Sequence, residues 1–212
     1  MKNSTLYIIM SFFFFSNTFS QTKKTEFDKK EKTEAINVLI ETVIGGKSQE
    51  IIIVQNKVSP NEILRIFKGN IIKDHLGNFI EKEEGVKKPL FNEKYFNIME
   101  RKYRDTYFLN GNEYFATASW KKDDFGGERK IILENFEDVF LKLQKGIYFE
   151  KPEIQILALS EPIYYKNKDY IVIGVMPAST KSVGFSTSYI VIMKKANKKW
   201  VVLNKTIDYV ME

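Results

Sequence analysis

Two stretches near the C-terminus, Tyr170–Met176 and Tyr189–Met193, constrain the fold of this chain more than any other. Both read as β-strands rich in Ile, Val and Tyr, and in each both alternating sets of side chains are apolar. Successive side chains of a strand point to opposite faces, so a sheet with one wet face alternates apolar and polar residues. Leaving a large apolar side chain in water forfeits about 1.5–3 kcal/mol. The sheet is therefore expected to be covered on both faces. Upstream helices would supply one cover, and the remaining segments or a second subunit the other.

Two further apolar runs, Ile154–Leu159 and Trp200–Leu203, flank these strands. The segments between them, Tyr165–Asp169, Pro177–Ser188 and Lys194–Lys199, are rich in turn-forming residues. The pattern predicts an antiparallel meander over 154–210.

Upstream, Thr33–Ile44 places Ile36, Leu39, Ile40, Val43 and Ile44 at one-sided helical spacing, with Gly45–Gly46 as the stop. Glu50–Gln55 follows as a strand. Ser59-Pro60-Asn61-Glu62 has the form of a capped helix start, with Glu62 closing a capping box and Ile63, Leu64, Ile66 and Phe67 on the buried side. Asp74–Gly85 reads as a loop with a short strand near Asn78–Glu81. Phe91–Arg104 predicts a third helix with an aromatic stripe of Phe91, Tyr95 and Tyr103 beside Ile98 and Met99. Tyr114–Trp120 and Lys130–Leu133 are expected to pair as a hairpin around the charged turn Lys121–Gly127. Phe136–Leu143 completes the helices, with Glu137 and Asp138 at its positive end. The expectation is an α+β domain over 33–212, N-terminal helices packed on a mainly antiparallel sheet with a C-terminal β-meander.

Met1–Ser20 has the form of an export signal: Lys2, an apolar core over Leu6–Phe15, and small residues Thr18 and Ser20 before Gln21. That core is too short to span a bilayer comfortably, and no later apolar run is long enough to replace it. The mature chain is expected to be exported, periplasmic or secreted, with Gln21–Lys32 as a charged flexible leader.

Composition narrows the chemistry. No cysteine is present, which removes disulfides and thiolate metal sites. The net charge of +6 comes from lysine, since the arginines are only Arg65, Arg101, Arg104 and Arg129. Lysine lacks the planar fork that reads phosphate and guanine, and here it is interleaved with Glu and Asp, so a nucleic-acid partner is not expected. The single histidine, His75, lies in a polar stretch with no evident nucleophile beside it. Asp123, Asp124 and Glu128 flank Gly126–Gly127 without the spacing of a calcium loop. Glu83, Glu84 and Asp169 complete the carboxylates that a two-carboxylate hydrolase site would draw on. Gly45-Gly46-Lys47-Ser48 follows a helix instead of a strand, and Ser182–Ser188 lacks a nucleophile elbow. No catalytic residue, metal ligand or cofactor is assigned from these patterns.

Ser160-Glu161-Pro162-Ile163, Tyr170–Val175 and the Lys195-Ala196-Asn197-Lys198-Lys199-Trp200 turn resemble the C-terminal sheet of small exported proteins of unknown function from Gram-negative bacteria. The resemblance covers the last quarter of the chain. The helix-then-sheet order is also similar to cystatin-like and nuclear-transport-factor-like α+β cones, which host enzymes and binding modules alike. These readings imply a non-enzymatic binding or structural module of the cell envelope, with an unknown protein or envelope partner or a homodimer through the sheet. The alternative is a hydrolase with a carboxylate and tyrosine site in a cone-shaped pocket.

Overall fold

A computed structural model of the chain describes residues 26–45, 50–69, 90–105, 114–149 and 152–207. The export-like segment, His75, Glu83, Glu84 and the loop over Asp74–Gly85 lie outside these residues. In chain order the elements are helix α1 over residues 26–44, strand β1 (Ile51–Val54), β2 (Asn56–Val58), helix α2 (Pro60–Gly69), α3 (Glu93–Tyr103) and β3 (Phe115–Ser119). A short 3-10 turn over Lys122–Asp124 leads to β4 (Ile131–Glu134), α4 (Phe136–Gln144), β5 (Gln155–Leu159), β6 (Ile163–Tyr165), β7 (Tyr170–Ser179), β8 (Tyr189–Ala196) and β9 (Lys199–Ile207). The chain is an α+β fold with a mostly antiparallel sheet, and β7, β8 and β9 form the C-terminal meander. Among the described residues no helix is long and apolar enough to cross a membrane.

The main sheet runs β4-β1-β5-β7-β8-β9, and β6 pairs with the same edge of β7 as β5. β1 pairs in parallel with both β4 and β5, whereas β5 to β9 are joined antiparallel. Both faces are covered from within the chain. Ile51, Ile53, Leu157, Leu159, Ile171, Ile173, Val191 and Met193 face Ala35, Ile36, Leu39 and Ile40 of α1. The alternate residues take the other face: Val172, Ile190 and Ile192 meet α2 and α3, and Ile52, Val54, Ile156 and Ala158 meet Val139 and Leu143 of α4. Among the described residues the sheet has its cover in four helices, α1 on one face and α2, α3 and α4 on the other.

At Gly174 the α2 side chain of Ile63 comes so close that a Cβ would sit 3.0 Å from its Cγ1. The same glycine ties the joint between β5 and β6. Ser160 donates its N–H to the Gly174 carbonyl (3.0 Å), and its Oγ accepts the Gly174 N–H (2.8 Å). Both hairpin turns at that end use left-handed backbone: Lys166, Asn167 and Lys168 in one, Asn197 and Lys198 in the other. Two consecutive positive φ values at Asn197 and Lys198 are the geometry that matches the right-handed twist of a tight hairpin.

Several local expectations need correction. Residues 26–32, expected as a flexible leader, belong to α1. They carry almost no apolar signal because charges hold them: Asp28 pairs with Lys168, Glu31 with Lys195 and Lys32 with Glu161. The expected β3–β4 hairpin is absent. β3 pairs antiparallel with β2, and β4 lies parallel to β1, because the intervening turn folds Phe125 onto Trp120 and carries the chain across. The capping box at Ser59 is not made. Ser59 Oγ accepts from the Asn61 N–H, its own N–H donates to the Tyr114 carbonyl, and Glu62 pairs with Arg65 instead. In α3 the buried residues are Phe96 and Met99, and Ile98 is exposed. The helix is rotated relative to the expected stripe so that Phe96 stacks on Phe67 of α2. Strand β7 continues through Pro177 to Ser179, since β5 extends to meet it at Gln155.

Candidate functional site

Three segments distant in sequence converge where β1 and β5 reach their carboxyl ends. Lys57 stands in β2, directly after β1; Glu161 stands in the connection directly after β5; α1 brings Lys32 and Ile36 over both. A parallel bridge between Val58 and Ser160 keeps the two extensions side by side. Here lies a cleft of about 530 Å³, walled by Lys32, Ile36, Lys57, Trp120, Glu161 and Pro162. In open sheets, ligand sites form in crevices outside the carboxyl ends of parallel strands, because the chain there leaves the sheet and its loops are free to present side chains.

Trp120 is buried and fixed at two points. Its backbone N–H donates to the Gln55 carbonyl (2.8 Å), and its indole N–H donates to the Leu159 carbonyl (3.1 Å). Over its ring, 4.4 Å from the centroid, sits the ammonium of Lys57. Lys57 also donates to Glu161 Oε2 at 3.2 Å, and Lys32 donates to Glu161 Oε1 at 2.5 Å. One carboxylate therefore spans two ammoniums, one oxygen to each. Burial alone would raise the Glu161 carboxyl, but Lys32 and then Lys57 outweigh it and hold it below the ordinary carboxylate range. The anion is the loosest member: the Glu161 side chain is 48% exposed, against 21% for Lys32 and 14% for Lys57.

Around the rim, Lys29 pairs with Asp124 at 3.6 Å. Asp124 also accepts the Lys121 N–H at 2.9 Å, closing the 3-10 turn. Deeper along α1, the buried Glu31 accepts from Lys195 and from the hydroxyl of Tyr164 (3.4 Å). Burial first, then Asp28 and Glu31, hold that hydroxyl well above its ordinary range. Lys168 lies 4.9 Å from the centre of the Tyr164 ring and pairs with Asp28.

A second groove, of about 710 Å³, opens on the opposite face of the sheet. It runs from Glu50 and Glu153 at the amino ends of β1 and β5 to Glu134 and Tyr148. Tyr148 and Lys142 both donate to Glu134 Oε2, at 2.9 and 2.6 Å, and Lys130 pairs with Glu50 at 2.8 Å. Burial, then the hydrogen bond to Glu134, hold the Tyr148 hydroxyl well above its ordinary range.

Among the described residues, Asp124 is the one candidate acidic-site residue that reaches the first cleft; Asp123, Glu128 and Asp169 are exposed. Among the described residues no group of three or more His, Cys, Asp or Glu is placed to hold a metal ion. The residues that make the cleft, Lys32, Lys57, Trp120 and Glu161, carry no signal beyond a chemistry-bearing type at an unremarkable position. The one available clue was placement: Lys57 and Glu161 each follow directly on a strand that reads as fully buried. No protein-family model matches the chain, and no curated protein or solved structure matches it.

Proposed function

We propose that this chain is an exported, non-enzymatic binding module of the cell envelope, which takes its ligand in the cleft between α1 and the carboxyl ends of β1 and β5. One observation carries the reading: donors from α1 and β2 and an acceptor after β5 converge on a Trp120-floored cleft at the place where open sheets present ligands. The charges there fit holding better than turnover. Glu161, the central acid, is held between two ammoniums, and each of its oxygens already accepts from one of them. The form of Met1–Ser20 supports export.

A photo-crosslinking residue placed at Lys29, on the cleft rim, is compared in living cells with one placed at Glu153, on the second groove. A discrete adduct from position 29 alone is expected, on a protein whose first residue is Gln21. Adducts from position 153 alone would overturn the assignment of the cleft, and a cytoplasmic chain that keeps Met1–Ser20 would overturn export.

A further inference from the structure

The Lys32–Glu161–Lys57 arrangement has the form of an occupied site. Two ammoniums from separate elements are largely buried, Lys57 over the face of Trp120 (4.4 Å) and Lys32 beside the ring of Tyr164 (5.9 Å). The carboxylate between them belongs to a connection, and nearly half of its side chain is in solvent. An ammonium carries three donors, and Glu161 takes one from each. Below the pair, Ile36, Trp120 and Pro162 give the cleft an apolar wall.

Resting on the reading of this cleft as a binding site, we infer that its ligand is a carboxylate carried on a flat or apolar body, and that Glu161 is the resident stand-in which that carboxylate displaces. The incoming group would bridge Lys32 and Lys57 with one oxygen to each, as Glu161 does, while its body occupies the cleft above the Ile36, Trp120 and Pro162 wall. Glu161 then swings outward into water, where its charge is solvated and no longer faces the ligand. The two ammoniums are already spaced for the two oxygens of one carboxyl group, and the apolar wall below them suits a carbon body better than a second charged face. A free small acid and the terminal carboxylate of a peptide share this chemistry.

Calorimetric titration of the purified exported protein with four probes tests this. Benzoate supplies carboxylate and body, benzamide the body alone, inorganic phosphate charge alone, and N-acetylphenylalanine a peptide terminus. Benzoate is expected to saturate at one site, with benzamide and phosphate each at least tenfold weaker. Glu161→Gln removes the competing charge and should tighten benzoate at least threefold, and Lys57→Met or Lys32→Met in that background should loosen it at least tenfold. Two lysine variants are used so that misfolding of one, seen by circular dichroism, leaves the other to decide. N-acetylphenylalanine binding more tightly than benzoate would assign the carboxylate to a peptide end, and weaker binding would assign it to a free small acid. The proposal falls if neither the parent nor Glu161→Gln binds benzoate saturably, if benzamide or phosphate binds as well, or if the folded lysine variants bind unchanged. An adduct at position 29 together with any of those results would leave the cleft a binding site and discard only its ligand class.

Discussion

The two grooves differ in how far along the chain the partners of their central carboxylates, Glu161 and Glu134, have travelled, although at the end of the second groove Lys130 reaches Glu50 across 80 residues. In the cleft at the carboxyl ends of β1 and β5, Glu161 meets partners 129 and 104 residues away, from a helix and from a separate strand. In the second groove, Glu134 meets Lys142 of α4 and Tyr148 just beyond that helix, 8 and 14 residues away. The second arrangement is what a helix needs to seat itself on its own strand. The first assembles only when the whole sheet is formed, and it leaves its anion half in solvent while burying its cations. Size does not decide between them, since the second groove is the larger. Convergence of remote elements at the carboxyl ends of parallel strands does.

The strongest attack on the cleft is at its floor. Trp120→Ala removes a buried ring and an indole N–H bonded to the Leu159 carbonyl, so destabilisation of about 3–5 kcal/mol is expected. Chemical denaturation of variant and parent measures it. A loss below about 1 kcal/mol would mean that the cleft lacks the rigid floor that separates it from the other groove.

Next is the joint that places Glu161. Ser160→Ala leaves the Gly174 N–H, deep in β7, without its acceptor, which should cost about 1–3 kcal/mol. A further readout is local: hydrogen exchange at Gly174 should rise more than at Ile53 of β1. Uniform exchange across both strands would show that Ser160 supports the sheet as a whole instead of anchoring the Glu161 connection.

How much of this was legible beforehand follows from the range of each interaction. The doubly apolar β7 and β8 announced cover on both faces, because burial leaves its mark on every residue of a strand. The extent of α1 did not show, since residues 26–32 are held by single charges on Lys168, Lys195 and Glu161, and apolar periodicity is blind to those. Pairing partners were the weakest inference. β3 and β4 are neighbours in sequence with a turn between them, yet β4 lies parallel to β1, a choice made by register with a strand 80 residues away (Ile51 with Ile131). The cleft was invisible for the same reason: Lys57 and Glu161 become neighbours only through the parallel pairing of β1 with β5.

A smaller effect separates the grooves at high pH. The Tyr148 hydroxyl is held protonated in the fold by burial and by Glu134, whereas in the unfolded chain it ionises near 10.0. Its folded value lies above its unfolded one, so its contribution is complete below pH 10 and is lost as pH rises beyond that. Tyr148→Phe should cost about 1 kcal/mol at neutral pH through the lost hydrogen bond and should make the alkaline decline of stability shallower. Tyr164, Tyr165 and Tyr189 are shifted in the same direction, so part of that decline remains. Benzoate binding at the cleft should not change, and a change would tie the two grooves together.

The smallest expected effect has the opposite sign on the pH axis. Lys32 and Lys57 hold the Glu161 carboxyl below its ordinary 4.5, so its folded value is depressed. Such a group stabilises the fold above its unfolded value, and the contribution disappears as pH falls through the folded one. Because the side chain is half in solvent, the ion pairs are worth no more than about 1 kcal/mol. Stability measured from pH 7 down to 3 should therefore fall for the parent more than for Glu161→Gln, the two curves converging in acid. If Glu161→Gln instead proves several-fold more destabilising than Tyr148→Phe at pH 7, the triad is a clasp that fastens α1 to the sheet. The two grooves would then be alike in kind, both made of side chains that hold the fold shut.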